Sequence, residues 1–352
     1  MKPRAFETRF ISLVALMSRQ RGHVCAAALS LCVLAALLQP VHAIPVRSLV
    51  SKTPYHLQAD QDDVSMCVLA STSRSTANPD KVVVMGVGRS GTTLMMHLLS
   101  ALDPEATFAF PEPYLTFEHT HSSDATPPLA SMFNCSVTND PNMLQRLFWT
   151  FACATAIQIT RNPSLSWPCN EGKTDGFGEL CLASSLRIVK TIRLPMVSDA
   201  LAHDHIIPTD ARTVLIVRHP ASILRSQVLL GWVPINPESG DNNKVLTEQA
   251  EKICSDTLAN TRILATSRVK HRITIRHEDL KADFDETMRA VMCKLGLTYD
   301  SAKLHAQLEK QSAALPHLYP DDVLSAADAM RAVAGAKSCD RVLEEYGYKT
   351  GL

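Results

Sequence analysis

The sequence predicts an α/β protein with a P-loop-like, mostly parallel sheet flanked by helices. Two observations predict this class. From residue 81 onward, short apolar runs alternate with segments of helical periodicity, as expected of strands joined by crossover helices. The first run leads from Lys81 into a glycine-rich turn and then into a helical pattern, which is the order that a phosphate-binding loop requires. A single domain is therefore predicted over 81–352.

The elements follow one another along this domain without an internal repeat. The predicted strands are Val82–Met85, Thr107–Phe110, Arg187–Ile192, Val214–Val217 and Arg272–Arg276. Helices are predicted to begin near Thr92, Asn142, Ala221, Leu246, Phe284 and Ala326. The segment from Trp232 to Asn243 is rich in turn-forming residues and predicts a long loop, either a lid over a ligand or a passive surface excursion.

The turn after the first strand has the glycine spacing of a P-loop, with Gly86 and Gly91 where a tight turn needs them. In loops that bind nucleoside triphosphates a lysine follows the second glycine. Here that position is Thr92, which disfavours an ATP or GTP phosphotransferase. An arginine, hydroxyl groups and a helix N-terminus suit an anion that is held without triphosphate-bound magnesium. The candidate ligands are Arg89, Ser90, Gly91, Thr92 and Thr93.

A second anion site is predicted at the end of the strand Val214–Val217. Arg218 follows this strand directly, and Ser226 lies eight residues further along the chain. Pro220 favours a helix that starts at its own position, because proline is preferred in the first helical turn. Ser226 then lies about two turns into that helix. Arg218 and Ser226 are therefore predicted to hold one further phosphate.

Together the two segments resemble the donor-binding motifs of sulfotransferases that use 3'-phosphoadenosine-5'-phosphosulfate (PAPS). In that superfamily an Arg- or Lys-led Ser-Gly-Thr-Thr turn binds the 5'-phosphosulfate, and an arginine followed eight residues later by a serine binds the 3'-phosphate. The resemblance implies the sulfotransferase fold and PAPS as donor, with no metal required. It extends to the Golgi carbohydrate sulfotransferases through similar segments at 187–193 and 275–280 and through Cys339 with the Gly-Tyr pair at 347–348. His219 and His277 depart from the Asp and Tyr that this family often has.

Glu112 is the candidate general base for removing the proton of an attacking hydroxyl. It follows the strand Thr107–Phe110 and stands between two prolines, which stiffen the backbone that presents it. The segment resembles the Glu-Pro segment of carbohydrate sulfotransferases, in which the glutamate is the expected base. The alternative is that Glu112 caps a helix or pairs with a nearby arginine. Rival bases are His97, His119 and His121.

The sequence also suggests roles for several other charged residues. Arg89, with the N–H groups of the turn, is the expected catalytic cation, because it can stabilise the charge that moves onto the departing 5'-phosphate. Lys190 and Arg193 are expected either to add positive charge near the cofactor or a sulfated acceptor, or to be solvated. Glu278 and Asp279 are expected to be structural.

The N-terminal residues predict translocation into the secretory pathway. Basic residues outnumber acidic ones before an apolar run from Val24 to Leu38, which predicts a cytosolic N-terminus and a translocated remainder. Val41-His-Ala43 resembles a signal-peptide cleavage site, whereas the family resemblance implies an uncleaved type II anchor in the Golgi membrane. The predicted segments are a cytosolic tail (1–22), a signal anchor or signal peptide (23–43) and a polar stem (44–80).

Composition agrees with a lumenal domain. The chain has ten cysteines and the glycosylation sequon Asn134-Cys135-Ser136, and no cysteines at zinc-binding spacing. The eight cysteines beyond the apolar run permit four disulfides without fixing their pairing, and a buried unpaired cysteine, such as Cys254 within a helix, is an equal alternative. The balance of 35 basic and 35 acidic residues offers no global field for nucleic acid.

These observations lead to the hypothesis of a lumenal, membrane-anchored carbohydrate sulfotransferase that transfers the sulfuryl group of PAPS to a sugar hydroxyl on a glycan or proteoglycan. One alternative is a tyrosyl-protein sulfotransferase, because the stretch from Gly86 to Met95 also resembles that family's turn. A second is a non-catalytic secretory scaffold that retains the nucleotide fold. The sequence does not identify the sugar or the oligomeric state.

Overall fold

A computed structural model describes residues 78–112, 129–136, 177–197, 206–235, 242–314 and 324–349. The predicted tail, anchor and nearly all of the stem lie outside the described residues, as do the helix predicted near Asn142 and the rival bases His119 and His121. Within the described ranges, no helix combines the length and the apolar character needed to cross a membrane.

Five strands form one parallel sheet in the order β2-β3-β1-β4-β5. Their bounds are β1 Asp80–Gly86, β2 Thr107–Pro111, β3 Leu186–Thr191, β4 Arg212–Val217 and β5 Arg272–Arg276. All five predicted strands are confirmed to within two residues at each end. Val83 of the central strand β1 pairs with Val189 of β3 on one side and with Thr213 of β4 on the other.

Helices cover both faces of this sheet. Their bounds are α1 Thr92–Ala101, α2 Leu129–Phe133, α3 Phe177–Ala183, α4 Leu194–Val197, α5 Pro220–Leu229, α6 Asn242–Thr266, α7 His277–Ala282, α8 Phe284–Lys294, α9 Ser301–Ala314, α10 Ala326–Ala334 and α11 Lys337–Glu345. The helices predicted near Thr92, Ala221, Phe284 and Ala326 begin within one residue of the expected position. Helix α6 begins at Asn242, four residues before the predicted start, so the end of the expected loop is helical.

Alternation along the strands divides the core into two layers. Val83, Met85 and Leu215 face the layer that contains α5, α6, α10 and α11. Val82 and Val84 face the opposite layer, formed with α1, α8 and α9. Because both faces are covered, the central strands β1 and β4 contain continuous apolar runs, as expected for a parallel sheet between two helical layers.

Disulfides fasten peripheral segments to this core. Cys254 of α6 is bonded to Cys339 of α11, and Cys135 is bonded to Cys181 of α3. Cys293 is also disulfide-bonded. The alternative of an unpaired core cysteine therefore does not hold for Cys254, although that residue is both buried and helical, as expected.

The carboxyl ends of all five strands meet at one edge of the sheet, where parallel α/β folds bind their ligands. The glycine-rich turn follows β1, Glu112 follows β2 and Arg193 lies two residues beyond β3. Arg218 follows β4, and His277 follows β5. The topology thus gathers residues that are far apart in sequence at this carboxyl edge.

Candidate active site

The turn after β1 is held in a conformation that requires its glycines. Gly91 has φ 112°, and a Cβ added there would lie 2.6 Å from Cδ2 of His277. A Cβ on Gly86 would lie 2.5 Å from the carbonyl oxygen of Ile216. Since neither position has room for a side chain, the turn packs directly against the ends of β4 and β5. Helix α1 then begins at Thr92, with Gly91 as its N-cap.

The predicted ligands of the turn differ in their exposure. Ser90 and Thr92 are buried, whereas Thr93 is exposed. Arg89 adopts a left-handed backbone conformation with φ 78°, which is uncommon for a residue other than glycine. The side-chain oxygen of Ser90 is buried and has no hydrogen-bond partner within the described part of the chain. The turn therefore presents a buried hydroxyl and a helix N-terminus, and both can bind an anion.

The two predicted anion-binding segments are in direct contact, although 137 residues separate Arg89 from Ser226. Nε of Arg89 donates a hydrogen bond to Oγ of Ser226 at 3.0 Å. Nη1 of Arg218 donates to the carbonyl oxygen of Arg89 at 3.1 Å. Arg89, Arg218 and Ser226 thus form one cluster, and a single ligand can reach all three.

Helix α5 carries Ser226 across the carboxyl edge from β4 to the turn. Its first residue is Pro220, as predicted, and the His219 side chain caps it by accepting a hydrogen bond from the N–H of Ala221 at 3.2 Å. Near its other end, Gln227 donates to the carbonyl oxygen of Gly88 at 3.0 Å. The helix is therefore attached both to the end of β4 and to the turn after β1, which sets the position of Ser226 between them.

Glu112 lies at the centre of a second cluster, at the ends of β2 and β3. Its carboxylate accepts from Nζ of Lys190 at 2.8 Å and is paired with Nη1 of Arg193 at 3.0 Å. It also accepts from the Thr191 hydroxyl at 3.2 Å and from the N–H of Ile192 at 3.1 Å. The side chains of Glu112, Lys190 and Arg193 are only 10 to 12% exposed. The arginine pairing considered as an alternative role for Glu112 is therefore present.

The environment of Glu112 keeps its carboxylate ionised. Burial raises the pKa of Glu112, but the positive charges of Lys190 and Arg193 and the hydrogen bonds from Lys190 and Ile192 outweigh it. The net pKa lies below the ordinary value for glutamate. Glu112 also has φ 56°, and its N–H donates to the carbonyl oxygen of Lys190 at 2.7 Å. Backbone and side chain are thus both fastened to the end of β3.

Comparison of the sequence with models of protein families identifies the chain. A model described as the sulfotransferase family matches residues 79–301, which is more than half of the 352 residues. The chain belongs to the sulfotransferase family. Comparison with curated proteins gave no match.

Three solved structures, two of them sulfotransferases, resemble this sulfotransferase at low identity. The sulfotransferase domain from the curacin biosynthetic pathway is 15% identical, with a TM-score of 0.41, over 77% of this chain and 98% of that one. A sulfotransferase from Mycobacterium tuberculosis is 16% identical, with a TM-score of 0.36, over 74% and 78% of the two chains. A retinol dehydratase solved with androsterone and the inactive cofactor PAP is 12% identical, with a TM-score of 0.34, over 78% and 81%.

Two buried histidines of the sulfotransferase are held uncharged. Burial, with a smaller contribution from Lys310, lowers the pKa of His97 to about 4. Burial, with Arg218 and Lys281, lowers the pKa of His277 to about 3. His97 lies in the layer between α1 and α9, and His277 supports the turn at Gly91. Both positions are those of packing residues.

The two acidic residues expected to be structural make structural contacts. Glu278 accepts from the N–H of His219 at 3.0 Å and from the Tyr348 hydroxyl at 3.0 Å. Asp279 accepts from the guanidinium of Arg276 at 3.0 Å. These bonds join α7 to the start of α5 and to the C-terminal segment. No group of three or more His, Cys, Asp or Glu side chains in the described ranges is arranged to hold a metal ion.

The structure adds three residues to the site that sequence reasoning did not single out. Gln227 holds the turn through Gly88, as described above. Asn260 of α6 lines a narrow recess behind the turn, together with Ser90 and Arg218. Both polar side-chain atoms of Asn260 are buried and lack a partner among the described residues, and no sequence motif indicates this. Trp232 packs over Gly88, whereas the sequence predicted it as the first residue of a loop that is either a lid over a ligand or a passive surface excursion.

Proposed function

We propose that this sulfotransferase takes PAPS as its donor and transfers the sulfuryl group to a sugar hydroxyl on a glycan or proteoglycan. One observation carries the donor assignment: Arg89 contacts Ser226 at 3.0 Å and Arg218 contacts Arg89 at 3.1 Å. PAPS bears phosphate at both the 5' and the 3' position, so its site needs two anion-binding groups within the reach of one nucleotide. The contact between these two segments meets that need.

The residues of the turn fit the 5'-phosphosulfate. Gly86, Gly88 and Gly91 let the turn pack tightly against its neighbours, and α1 begins at Thr92, so its N-terminal N–H groups lie at the turn. The buried Ser90 hydroxyl supplies a further hydrogen-bonding group. Arg218 and Ser226 fit the 3'-phosphate, because a guanidinium and a hydroxyl from neighbouring positions can both donate to one phosphate.

When bound, PAPS supplies a sulfuryl group on a good leaving group: the acceptor oxygen forms a bond to sulfur as the bond from sulfur to the 5'-phosphate oxygen breaks. Arg89 and the N–H groups from Ser90 to Thr93 stabilise the negative charge that develops on this phosphate. Because these donors are fixed by the backbone of the turn, little reorganisation is needed at the moment of transfer.

Glu112 is assigned as the base that takes the proton of the acceptor hydroxyl. Its low pKa guarantees the ionised form at neutral pH but limits its basicity. The Thr191 hydroxyl already donates to this carboxylate at 3.2 Å, which shows that Glu112 can accept from a neutral hydroxyl while its ion pairs remain in place. Lys190 and Arg193 then hold the carboxylate in place beside the acceptor.

The Golgi lumen is proposed as the site of action, with the N-terminal segment as a type II anchor. Two features of the described residues support an oxidising, glycosylating compartment. The disulfides Cys135–Cys181 and Cys254–Cys339 are of the kind that persists in the secretory pathway. The sequon residue Asn134 is exposed, as an acceptor of N-linked glycan must be.

A panel of acceptors with radiolabelled PAPS tests the proposal. Incorporation into desulfated glycosaminoglycans, and none into acidic tyrosine peptides, is the expected result. Labelling of the tyrosine peptides alone would instead establish the tyrosyl-protein alternative. Failure of the protein to be retained on immobilised 3',5'-adenosine diphosphate (PAP) would favour the non-catalytic scaffold.

A further inference from the structure

An exposed aromatic side chain stands at the mouth of the proposed site. Trp232 lies just beyond the end of α5, where its backbone N–H donates to the carbonyl oxygen of Gln227 at 2.9 Å. Its side chain is 53% exposed, and the other large hydrophobic residues exposed within the described ranges are Leu182 and Leu230. Single exposed apolar side chains are common on protein surfaces, but this one lies beside the proposed ligand site, where its aromatic face is available to a ligand.

The indole ring is fixed between the phosphate turn and the end of β3. A Cβ placed on Gly88 would lie 2.8 Å from Cζ3 of Trp232 and 3.1 Å from Cδ1 of Ile192. Both side chains therefore occupy the space next to Gly88. Ile192 also donates its N–H to Glu112 at 3.1 Å. The indole is thus next to a residue that directly contacts the proposed base.

Strand order separates this ring from the 3'-phosphate site. Going outward from β1, the sheet has β3 and then β2 on one side, and β4 and then β5 on the other. Ile192 and Glu112 follow β3 and β2, whereas Arg218 follows β4. The adenosine of the donor must connect the turn after β1 with Arg218, so it extends toward β4. Trp232 packs against the β3 side, where the acceptor has to approach Glu112.

We propose that Trp232 is a stacking platform for the sugar ring of the acceptor, an inference that rests on the proposed function. The C–H groups on one face of a pyranose ring form an apolar surface that packs on an indole, while its hydroxyls remain free to point at Glu112. The ring packs next to Gly88 and Ile192, and this packing restricts its movement.

The experiment measures donor and acceptor binding separately in the full-length protein. The dissociation constant for PAP is determined by calorimetry, and KM for chemically desulfated heparin and desulfated chondroitin is determined with labelled PAPS. Trp232→Ala is expected to raise the acceptor KM about tenfold or more and to change the PAP dissociation constant by less than about twofold. Trp232→Phe is expected to retain most of the acceptor affinity, because it retains an aromatic face.

A matched control is available in Leu182→Ala. Leu182 is similarly exposed, at 58%, but lies in α3 ahead of β3 and hence at the amino edge of the sheet. Its replacement is expected to leave both constants unchanged. Circular dichroism and thermal unfolding establish that each variant folds.

Three results would overturn the inference. An unchanged acceptor KM in Trp232→Ala would remove the platform, and a weakened affinity for PAP with unchanged acceptor KM would assign the ring to the donor. Wild-type protein that binds PAP but sulfates tyrosine peptides alone would exclude the sugar as the stacked group. Failure of the wild type to bind PAP is a different outcome, because it contradicts the proposed function itself.

Discussion

Replacing Glu112 by glutamine tests two roles of this side chain separately: its structural role as counter-ion and its proposed catalytic role as base. The substitution preserves the shape of the carboxylate but removes its charge. Lys190 and Arg193, which are 10% and 12% exposed, then lose their common counter-ion. Removing one partner of a buried ion pair leaves an uncompensated buried charge and typically costs about 3 to 5 kcal/mol of stability. We expect Glu112→Gln to lower the free energy of unfolding by about 3 kcal/mol, the lower end of this range, because the amide oxygen still accepts a hydrogen bond.

The loss of stability must depend on pH. The pKa of Glu112 is lowered in the folded state, so its contribution is fully present above the unfolded value of about 4.3 and disappears as pH falls through the folded value. The difference in unfolding free energy between wild type and Glu112→Gln is therefore expected to be constant from pH 8 to 5.5. It should shrink only in more acidic solution.

Turnover is the second readout. If Glu112 is also the base, kcat should fall by about two to four orders of magnitude in the fraction that remains folded, with little change in PAP affinity. Urea unfolding, PAP calorimetry and labelled-sulfate turnover are measured on one preparation at a temperature at which the variant is folded. Loss of stability with unchanged kcat would leave Glu112 a structural anchor. Unchanged stability would refute the argument from the buried charge cluster.

Three further predictions follow from other contacts. Arg218→Ala should weaken PAP binding by about tenfold or more with a smaller effect on kcat, as calorimetry and acceptor assays would reveal; an unchanged PAP affinity would exclude Arg218 from the donor site. Gly91→Ala should abolish PAP binding, because a Cβ would lie 2.6 Å from His277 in a backbone conformation with φ 112°; retained binding would show that the turn can shift. His97 and His277, whose pKa values are lowered to about 4 and about 3, must lose their protons on folding. As pH falls from 7.5 to 5.5, both histidines become protonated in the unfolded state only, so the free energy of unfolding should fall by about 3 kcal/mol in total. A free energy of unfolding from urea titrations that does not change over this pH range would contradict the prediction.

Most of the fold follows from patterns that are local in the sequence. The central strands β1 and β4 contain uninterrupted apolar runs, and Pro220 marked the start of α5 because proline is favoured at the first helical position. Six helices of the described residues were missed: the longer α9 and α11, and the short α2, α3, α4 and α7. Segments of four to seven residues are too short for a helical period to stand out. Helix α6 was predicted too short because its polar first turn resembles a loop.

The residues of the site also fall into two groups, those that local sequence motifs predicted and those that only tertiary packing brings to the site. Arg89, Arg218 and Ser226 were predictable because each stands in a motif at the end of a strand, and a parallel sheet brings such ends together. The ion pairs of Glu112 were not predictable in detail, since Lys190 and Arg193 read equally well as solvated residues. Asn260 and Trp232 carry no motif. Their place beside the turn depends on how helices α5 and α6 pack, which is set by tertiary contacts.

The most direct test of the account compares three ligands on the wild-type protein and on Arg218→Ala. PAP carries both phosphates, 5'-AMP lacks the 3'-phosphate and 3'-AMP lacks the 5'-phosphate. If one nucleotide is held at both ends, calorimetry will show PAP binding to the wild type far more tightly than either monophosphate, and Arg218→Ala will reduce the preference for PAP over 5'-AMP. Equal binding of PAP and 5'-AMP by the wild type, or a preference that survives in Arg218→Ala, would contradict the two-ended site.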